Sequence, residues 1–367
     1  MRLVCLVGNF PPALSGQAAV NEFFRRSVQS AGAEVRVIDL SPRPGRATFR
    51  QRLSRLPKLI LGLPRLGRLV FGRKNVAVYV GVNGGLGQVY DALFIAVARL
   101  ASADLYLHHD SYAYLDRSHR LTDLVVRIAG VHALHIVLCN DMGDRLRDLY
   151  PMARHTIVIS NVTNTEGPVA TPRPRQRLTS IGFMSNLTRA KGVLEFLDVA
   201  ERVCRARPEI RALLVGPVEE PSLEPILRSR LASAPWVEYL GPLYGEAKSL
   251  FLTELDVFVF PTRYVNEAEP KVLAEALAHG VVIIARSRGC IDSLVDASGG
   301  IAVPESKDFI STAERLLLDW SATAVEFSTL SAAALRGFHD LRQLHEERLG
   351  ALIAAMAGAK PIPSTTT

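Results

Sequence analysis

Short apolar runs rich in Val, Ile and Leu alternate along the chain with stretches whose apolar residues recur every three or four positions. In the first half the runs fall at 2–7, 34–38, 77–80, 105–108, 136–139 and 156–159. Between the first two, Val20, Phe23, Phe24 and Val28 share one face of a helix expected over 17–31. Strands that are apolar throughout and separated by helices are the pattern of βαβ units and a parallel sheet. The alternation stops at 164–177, where Pro168, Pro172 and Pro174 predict a linker. It then restarts with strands at 178–183, 211–215, 237–240, 257–260, 281–285 and near 300–303, and with helices at 192–206, 223–233, 245–252 and 270–279. A further helical pattern covers 324–357, with a break at Gly337.

The expected architecture is therefore α/β, with two doubly wound domains joined once. The first covers 1–163 and the second 178–335, followed by a helical segment at 336–357 and a disordered tail at 358–367. A chain of 367 residues is long for one core and suits two of ordinary size, and 48% apolar with 22% charged residues is a globular composition.

Charge changes this picture locally. The net charge is +7, and ten basic residues with no acidic one lie between Ser41 and Lys74. Leucines, an isoleucine and a phenylalanine are interleaved with them, so segment 41–74 fits an anionic membrane surface or a phosphorylated lipid acceptor, and equally a solvated basic rim. The segment has little aromatic interleaving and lies in no nucleic-acid module, so nucleic acid is not an expected partner. No run is apolar enough to span a bilayer, because Asp91 and Arg99 interrupt the best one. The N-terminal apolar run is too short for a signal peptide and reads as a first strand. Four scattered cysteines with no C-x-x-C spacing favour a reducing cytoplasm, so the expected location is cytoplasmic, with peripheral contact at the inner face of the membrane.

The sharpest chemical signal runs from Glu267 to Gly280, directly after the strand at 257–260. Glu267 falls in the loop, Pro270 suits the first helical position, Glu275 lies within the helix and Gly280 ends it. Two carboxylates thus flank a helix N-terminus whose amides can hold a phosphate, and carboxylates accept well from sugar hydroxyls. A single such glutamate reads equally as a solvated helix-end residue, so the weight lies on the combination.

This stretch resembles the E-x7-E motif of glycosyltransferase family 4, the retaining nucleotide-sugar transferases of the GT-B fold. Phe10-Pro11-Pro12 followed by Gly16, Lys191-Gly192, Leu214-Val215-Gly216, Tyr239-Leu240-Gly241, Asp256 and Gly289 follow in the family's order. The resemblance implies two Rossmann-like domains facing a cleft and transfer of a hexose with retention from a nucleotide diphosphate sugar, a co-substrate, to a glycan, lipid-linked glycan or small molecule. It implies that Glu275 binds the donor ribose and Glu267 the sugar ring. Backbone at Ala268, Glu269 and Lys271 would meet sugar or diphosphate, while Pro270 has no N–H to give. Lys191 would face the diphosphate, Gly16 would let backbone approach the donor, and His109, preferred over His108 because it lies further out, would be the active-site histidine, with Asp110 next for an acceptor contact. Family members often carry arginine where this chain has Asn186, which leaves Lys191 and Arg189 to meet the leaving-group charge. No Asp-x-Asp occurs, so no metal and no cofactor is expected.

Two other functions compete with this one. A dinucleotide-dependent oxidoreductase needs G-x-G-x-x-G after the first strand, and Gly8-Asn9-Phe10-Pro11-Pro12 lacks it. A non-catalytic nucleotide-sugar-binding protein remains open, because Asn186 weakens the phosphate site.

Overall fold

The computed structural model describes residues 1–11, 16–41, 56–168 and 171–359. It divides into two units, Met1–Asn164 with Leu344–Thr367, and Thr165–Gln343. Pro12, residues 42–55 of the basic segment, residues 169–170 of the expected linker and the tail from 360 lie outside the described residues.

Unit 1 runs β1 (Leu3–Gly8), α1 (Gly16–Ser30), β2 (Glu34–Asp39), α2 (Leu56–Val70), β3 (Val76–Val82), α3 (Gln88–Leu100), β4 (Asp104–His109), α4 (Arg120–Ala129), β5 (Leu134–Val137), α5 (Asn140–Leu149) and β6 (His155–Val158). The strands form one parallel sheet in the order β2-β1-β3-β4-β5-β6. β1 and β3 are buried along their whole length, as the unbroken apolar runs require of central parallel strands. One face of the sheet packs Val4, Leu6, Tyr79 and Ile136 against Val20, Phe24 and Val28 of α1 and against Leu352, Ile353 and Met356 near the C-terminus.

Unit 2 runs β7 (Ser180–Met184), α6 (Val193–Ala206), β8 (Arg211–Val215), α7 (Glu224–Ala232), β9 (Val237–Tyr239), α8 (Gly245–Glu254), β10 (Val257–Phe260), α9 (Lys271–Ala278), β11 (Val282–Arg286), α10 (Ile291–Asp296), β12 (Ile301–Val303), α11 (Phe309–Ala322) and α12 (Ala324–Met356), whose end from Leu344 belongs to unit 1. Its sheet is also parallel, in the order β12-β11-β10-β7-β8-β9. That is the dinucleotide-fold order, whereas unit 1 has the order of flavodoxin-like sheets at its start.

Two expectations are corrected. α12 is one helix through Gly337, not two. A Cβ at Gly337 would lie 2.2 Å from the Ala297 carbonyl, so the glycine admits a close neighbour and does not break the helix. Helix α11, absent from the sequence reading, is opened by Asp308, whose carboxylate accepts from the Ser311 amide at 2.8 Å.

Asp256 ties the start of unit 2 together. Its Oδ2 accepts from the Thr179 amide at 2.7 Å, the Thr179 hydroxyl at 2.8 Å and the Ser180 amide at 3.0 Å. Arg175 lies 3.7 Å from the other oxygen. Asp256→Ala should orphan the buried Ser180 amide and leave two part-buried Thr179 donors without their acceptor, destabilising the protein by about 1–3 kcal/mol. Urea unfolding checks this, and a loss below about 0.5 kcal/mol would show that the clamp contributes little.

Candidate functional site

In unit 2 the chain leaves β7 toward β8 and β9 and later returns to β10 on the other side of β7. Connections that diverge on opposite faces leave a crevice beyond the carboxyl ends of the two strands. The loops that follow them, 185–192 and 261–270, carry the residues that the sequence singled out. Lys191 Nζ donates to Glu267 Oε2 at 2.6 Å, with the side chains 19% and 9% exposed. The Thr262 hydroxyl donates to the same oxygen at 3.2 Å, and the Lys191 ammonium stands 4.5 Å from the Tyr264 ring centroid. The pair is thus fixed by a charge-assisted bond and a cation–π contact in partly dehydrated surroundings, where both strengthen.

Gly192 permits this meeting. It sits at φ 88° before α6, and a Cβ there would lie 2.5 Å from the Pro261 carbonyl. Only glycine lets the Lys191 loop lie so close to the chain leaving β10. Ala268 and Glu269 are buried, and the Ala268 carbonyl accepts from the Cys290 amide at 2.8 Å, which holds the glutamate loop from behind. Pro270 is the residue before α9, one position earlier than the sequence suggested, so Lys271 is the first helical residue. Glu275 lies further along α9, and its Oε1 accepts from Lys248 Nζ at 2.7 Å. No sequence signal pointed to Lys248, which arrives from α8, 27 residues away.

Asn186 and Arg189 are engaged elsewhere. Asn186 donates to Glu219 at 2.6 Å, and Arg189 donates to Glu220 at 2.9 Å through its side chain and at 3.0 Å through its amide. The amide bond from Arg189, before the other contacts, holds the Glu220 carboxyl below its ordinary range. Of the four polar residues in the 186–191 loop, Lys191 is the one bonded to Glu267.

In unit 1, β4 ends at His109. Lying further out along the strand does not expose this histidine, because Tyr114 and Leu115 of the following loop are buried beside it. The ring is 0% exposed, with Nδ1 2.9 Å from the Tyr114 hydroxyl and Nε2 2.9 Å from His135 Nδ1. Burial first, then His135 and His108, holds its pKa well below the ordinary histidine range, so it is neutral at pH 7. Both nitrogens are occupied, and this ring has none to spare for a sugar. His108 is equally buried on the opposite face of β4, and Asp110 follows with both carboxylate oxygens lacking a hydrogen bond among the described residues. Gly16 opens α1, and a Cβ there would meet nothing within 4 Å among the described residues, so packing does not demand glycine. No cluster of three or more possible metal ligands occurs among the described residues.

Residues 179–319 match the family model of glycosyl transferases group 1, an interval that contains Lys191, Glu267 and Glu275. No curated protein matches the chain. Among solved structures, sucrose-phosphate synthase from Thermosynechococcus elongatus superposes with a TM-score of 0.73 at 16% identity over 97% of this chain and 99% of its own. The Anabaena protein HepE in complex with UDP gives 0.64 at 16% identity over 95% and 99%. WaaG, a glycosyltransferase involved in lipopolysaccharide biosynthesis, gives 0.65 at 14% identity over 98% and 100%. The fold is GT-B. In this GT-B chain the interval matched to the transferase model holds both glutamates and their lysine partners.

Proposed function

We propose that the chain is a retaining glycosyltransferase that moves a hexose from a nucleotide diphosphate sugar to a glycan, a lipid-linked glycan or a small hydroxyl acceptor. The observation that carries this reading is the Lys191–Glu267 pair, held beside the start of α9 at the switch point of unit 2. A bound diphosphate would draw the Lys191 ammonium from Glu267 and lie against the helix N-terminus, where partial positive charge and amides favour it. Glu267, released from the lysine, would accept from a sugar hydroxyl. Glu275 would accept from the ribose while keeping its bond to Lys248, since one carboxylate offers about four acceptor positions. The charge that grows on the leaving diphosphate would be met by Lys191 without a metal or cofactor. HepE is known in complex with UDP-glucose, which makes uridine diphosphate sugars the first donors to try.

The reading extends to a membrane. Helix α2 exposes Ile60 (66%) and Leu61 (73%), with Arg65 and Arg68 exposed on the same helix. It packs on α3, where Val89 and Leu93 are exposed as well. Apolar side chains among arginines suit the headgroup boundary of an anionic bilayer, consistent with peripheral attachment at the cytoplasmic face and a lipid-linked acceptor. No helix among the described residues is long and apolar enough to cross a membrane.

A thermal-shift panel of nucleotide sugars tests the donor reading. One donor should stabilise the protein, and Glu275→Ala should weaken its binding by more than about 1 kcal/mol; no stabilisation by any donor would overturn the reading. With that donor, Lys191→Ala should lower kcat about 10²-fold or more, the scale of removing one preorganised charge partner, while Asn186→Ala stays within about 10-fold. Equal kcat values for the two variants would remove Lys191 from the chemistry. The protein should co-sediment with phosphatidylglycerol vesicles in a salt-sensitive way, and Ile60→Glu with Leu61→Glu should reduce binding. Equal sedimentation with neutral phosphatidylcholine vesicles would rule the membrane out.

A further inference from the structure

A chain of buried polar groups in unit 1 starts at that unit's switch point, between β1 and β3, and ends at Asp110. The Asn21 side-chain amide lies between Gly8 and Gly81 and donates from Nδ2 to the Asn9 carbonyl at 2.9 Å. The Tyr79 hydroxyl lies 2.9 Å from Asn21 Oδ1 and 2.7 Å from His108 Nδ1. His108 Nε2 lies 3.5 Å from Asp110 Oδ1, and neither atom has a hydrogen-bond partner among the described residues.

The positions of the protons follow from which groups can donate. A backbone carbonyl only accepts, so the Asn9 carbonyl fixes the Asn21 amide with Nδ2 toward it and Oδ1 toward Tyr79. Oδ1 also only accepts, so the single Tyr79 hydrogen is directed to it. The phenol oxygen can then only accept from His108, which places a proton on Nδ1. A neutral imidazole with Nδ1 protonated has a bare lone pair at Nε2. That lone pair would face a carboxylate oxygen at 3.5 Å, two buried acceptors with no donor between them. Such a contact costs on the order of 1–3 kcal/mol per unsatisfied group, and more for a charged one.

We propose that His108 and Asp110 hold one extra proton between them, and that Asp110, kept in place by this chain, is the acceptor-binding carboxylate of unit 1. The acceptor role rests on the transferase reading; the proton does not. His108 is the positioning residue, with Tyr79 and Asn21 behind it. The other titratable groups around the pair are Tyr79, Tyr114 and His109, and none of these supplies a cation, since both phenols are pushed well above their ordinary range and His109 well below, in each case mainly by burial. Burial is the larger effect on His108 and lowers its pKa, and the Asp110 carboxylate opposes it. Asp110 is the member of the chain nearest solvent, its side chain 14% exposed against 2% for His108, while its Oδ2 is itself buried and has no hydrogen-bond partner among the described residues. A hydroxyl donor is the ligand that such an oxygen would accept from.

Nitrogen-15 NMR of the full-length protein labelled at histidine tests the proton directly at pH 7. His108 should show a protonated Nδ1 together with an Nε2 that shares a proton, and Asp110→Asn should shift Nε2 to the bare, pyridine-type position without changing Nδ1. A wild-type His108 protonated on Nε2 alone, with Nδ1 bare, would overturn the shared proton whether or not any variant folds. For the carboxylate's role, UDP-glucose is the donor probe and water the smallest hydroxyl acceptor. Asp110→Asn should slow UDP-glucose hydrolysis at least tenfold with the UDP-glucose Kd unchanged. An unchanged hydrolysis rate, or a loss of UDP-glucose binding in this variant, would overturn the acceptor role. A wild-type protein that binds no nucleotide sugar would instead sink the transferase reading, and the NMR result would still decide the proton.

Discussion

Lys191 and Glu267 lie 76 residues apart and meet at 2.6 Å, and the arrangement of unit 2 follows from what that contact needs. An ammonium and a carboxylate that are both mostly withdrawn from water are stable only while paired, so the loops that carry them must be held to within a few tenths of an ångström. β7 and β10 supply the rigid base as hydrogen-bonded neighbours. Gly192 supplies the close approach, and the bond from the Cys290 amide to the Ala268 carbonyl braces the glutamate loop. Asp256 secures the other end of the same two strands by gathering the Thr179 and Ser180 donors at the start of β7. On the proposed reading, the lysine rests on an anion of the protein until the donor's diphosphate replaces it.

The two units use the same topological feature differently. In unit 2 the switch point is lined by charged groups paired with each other. In unit 1 it is filled by the uncharged Asn21 amide, wedged between Gly8 and Gly81, and polarity is passed along Tyr79 and His108 to Asp110. The difference fits the proposed division of labour, in which one unit would handle a diphosphate and the other a hydroxyl, since fixed charge is worth most against a charged ligand.

Much of this was legible in the sequence because the determinants are local. Unbroken apolar runs mark strands buried on both faces, so the central strands of both sheets fall where expected, and the E-x7-E spacing places Glu267 in a loop and Glu275 on a helix. What sequence could not supply was partnership across the fold. Lys248 reaches Glu275 only because α8 lies beside α9, and no spacing encodes that. His109 looked like the outermost residue of its strand, yet the loop that turns back over it carries Tyr114 into contact with the ring. Gly337 resembles a helix breaker by type, and only the nearby Ala297 carbonyl reveals it as a packing residue. Helix α11 does carry a local signal, an Asp308 cap followed by Phe309, Ala313, Leu317 and Trp320 at helical spacing.

If the donor diphosphate binds on the loops after β7 and β10 of unit 2, hydrogen exchange of the backbone amides in the presence of UDP reads that placement most directly. Saturating UDP should slow exchange in 185–193 and 262–273, where the lysine loop, the glutamate loop and the first turn of α9 converge. UDP binding that leaves both segments unprotected, or protects only the far ends of the strands, would contradict it.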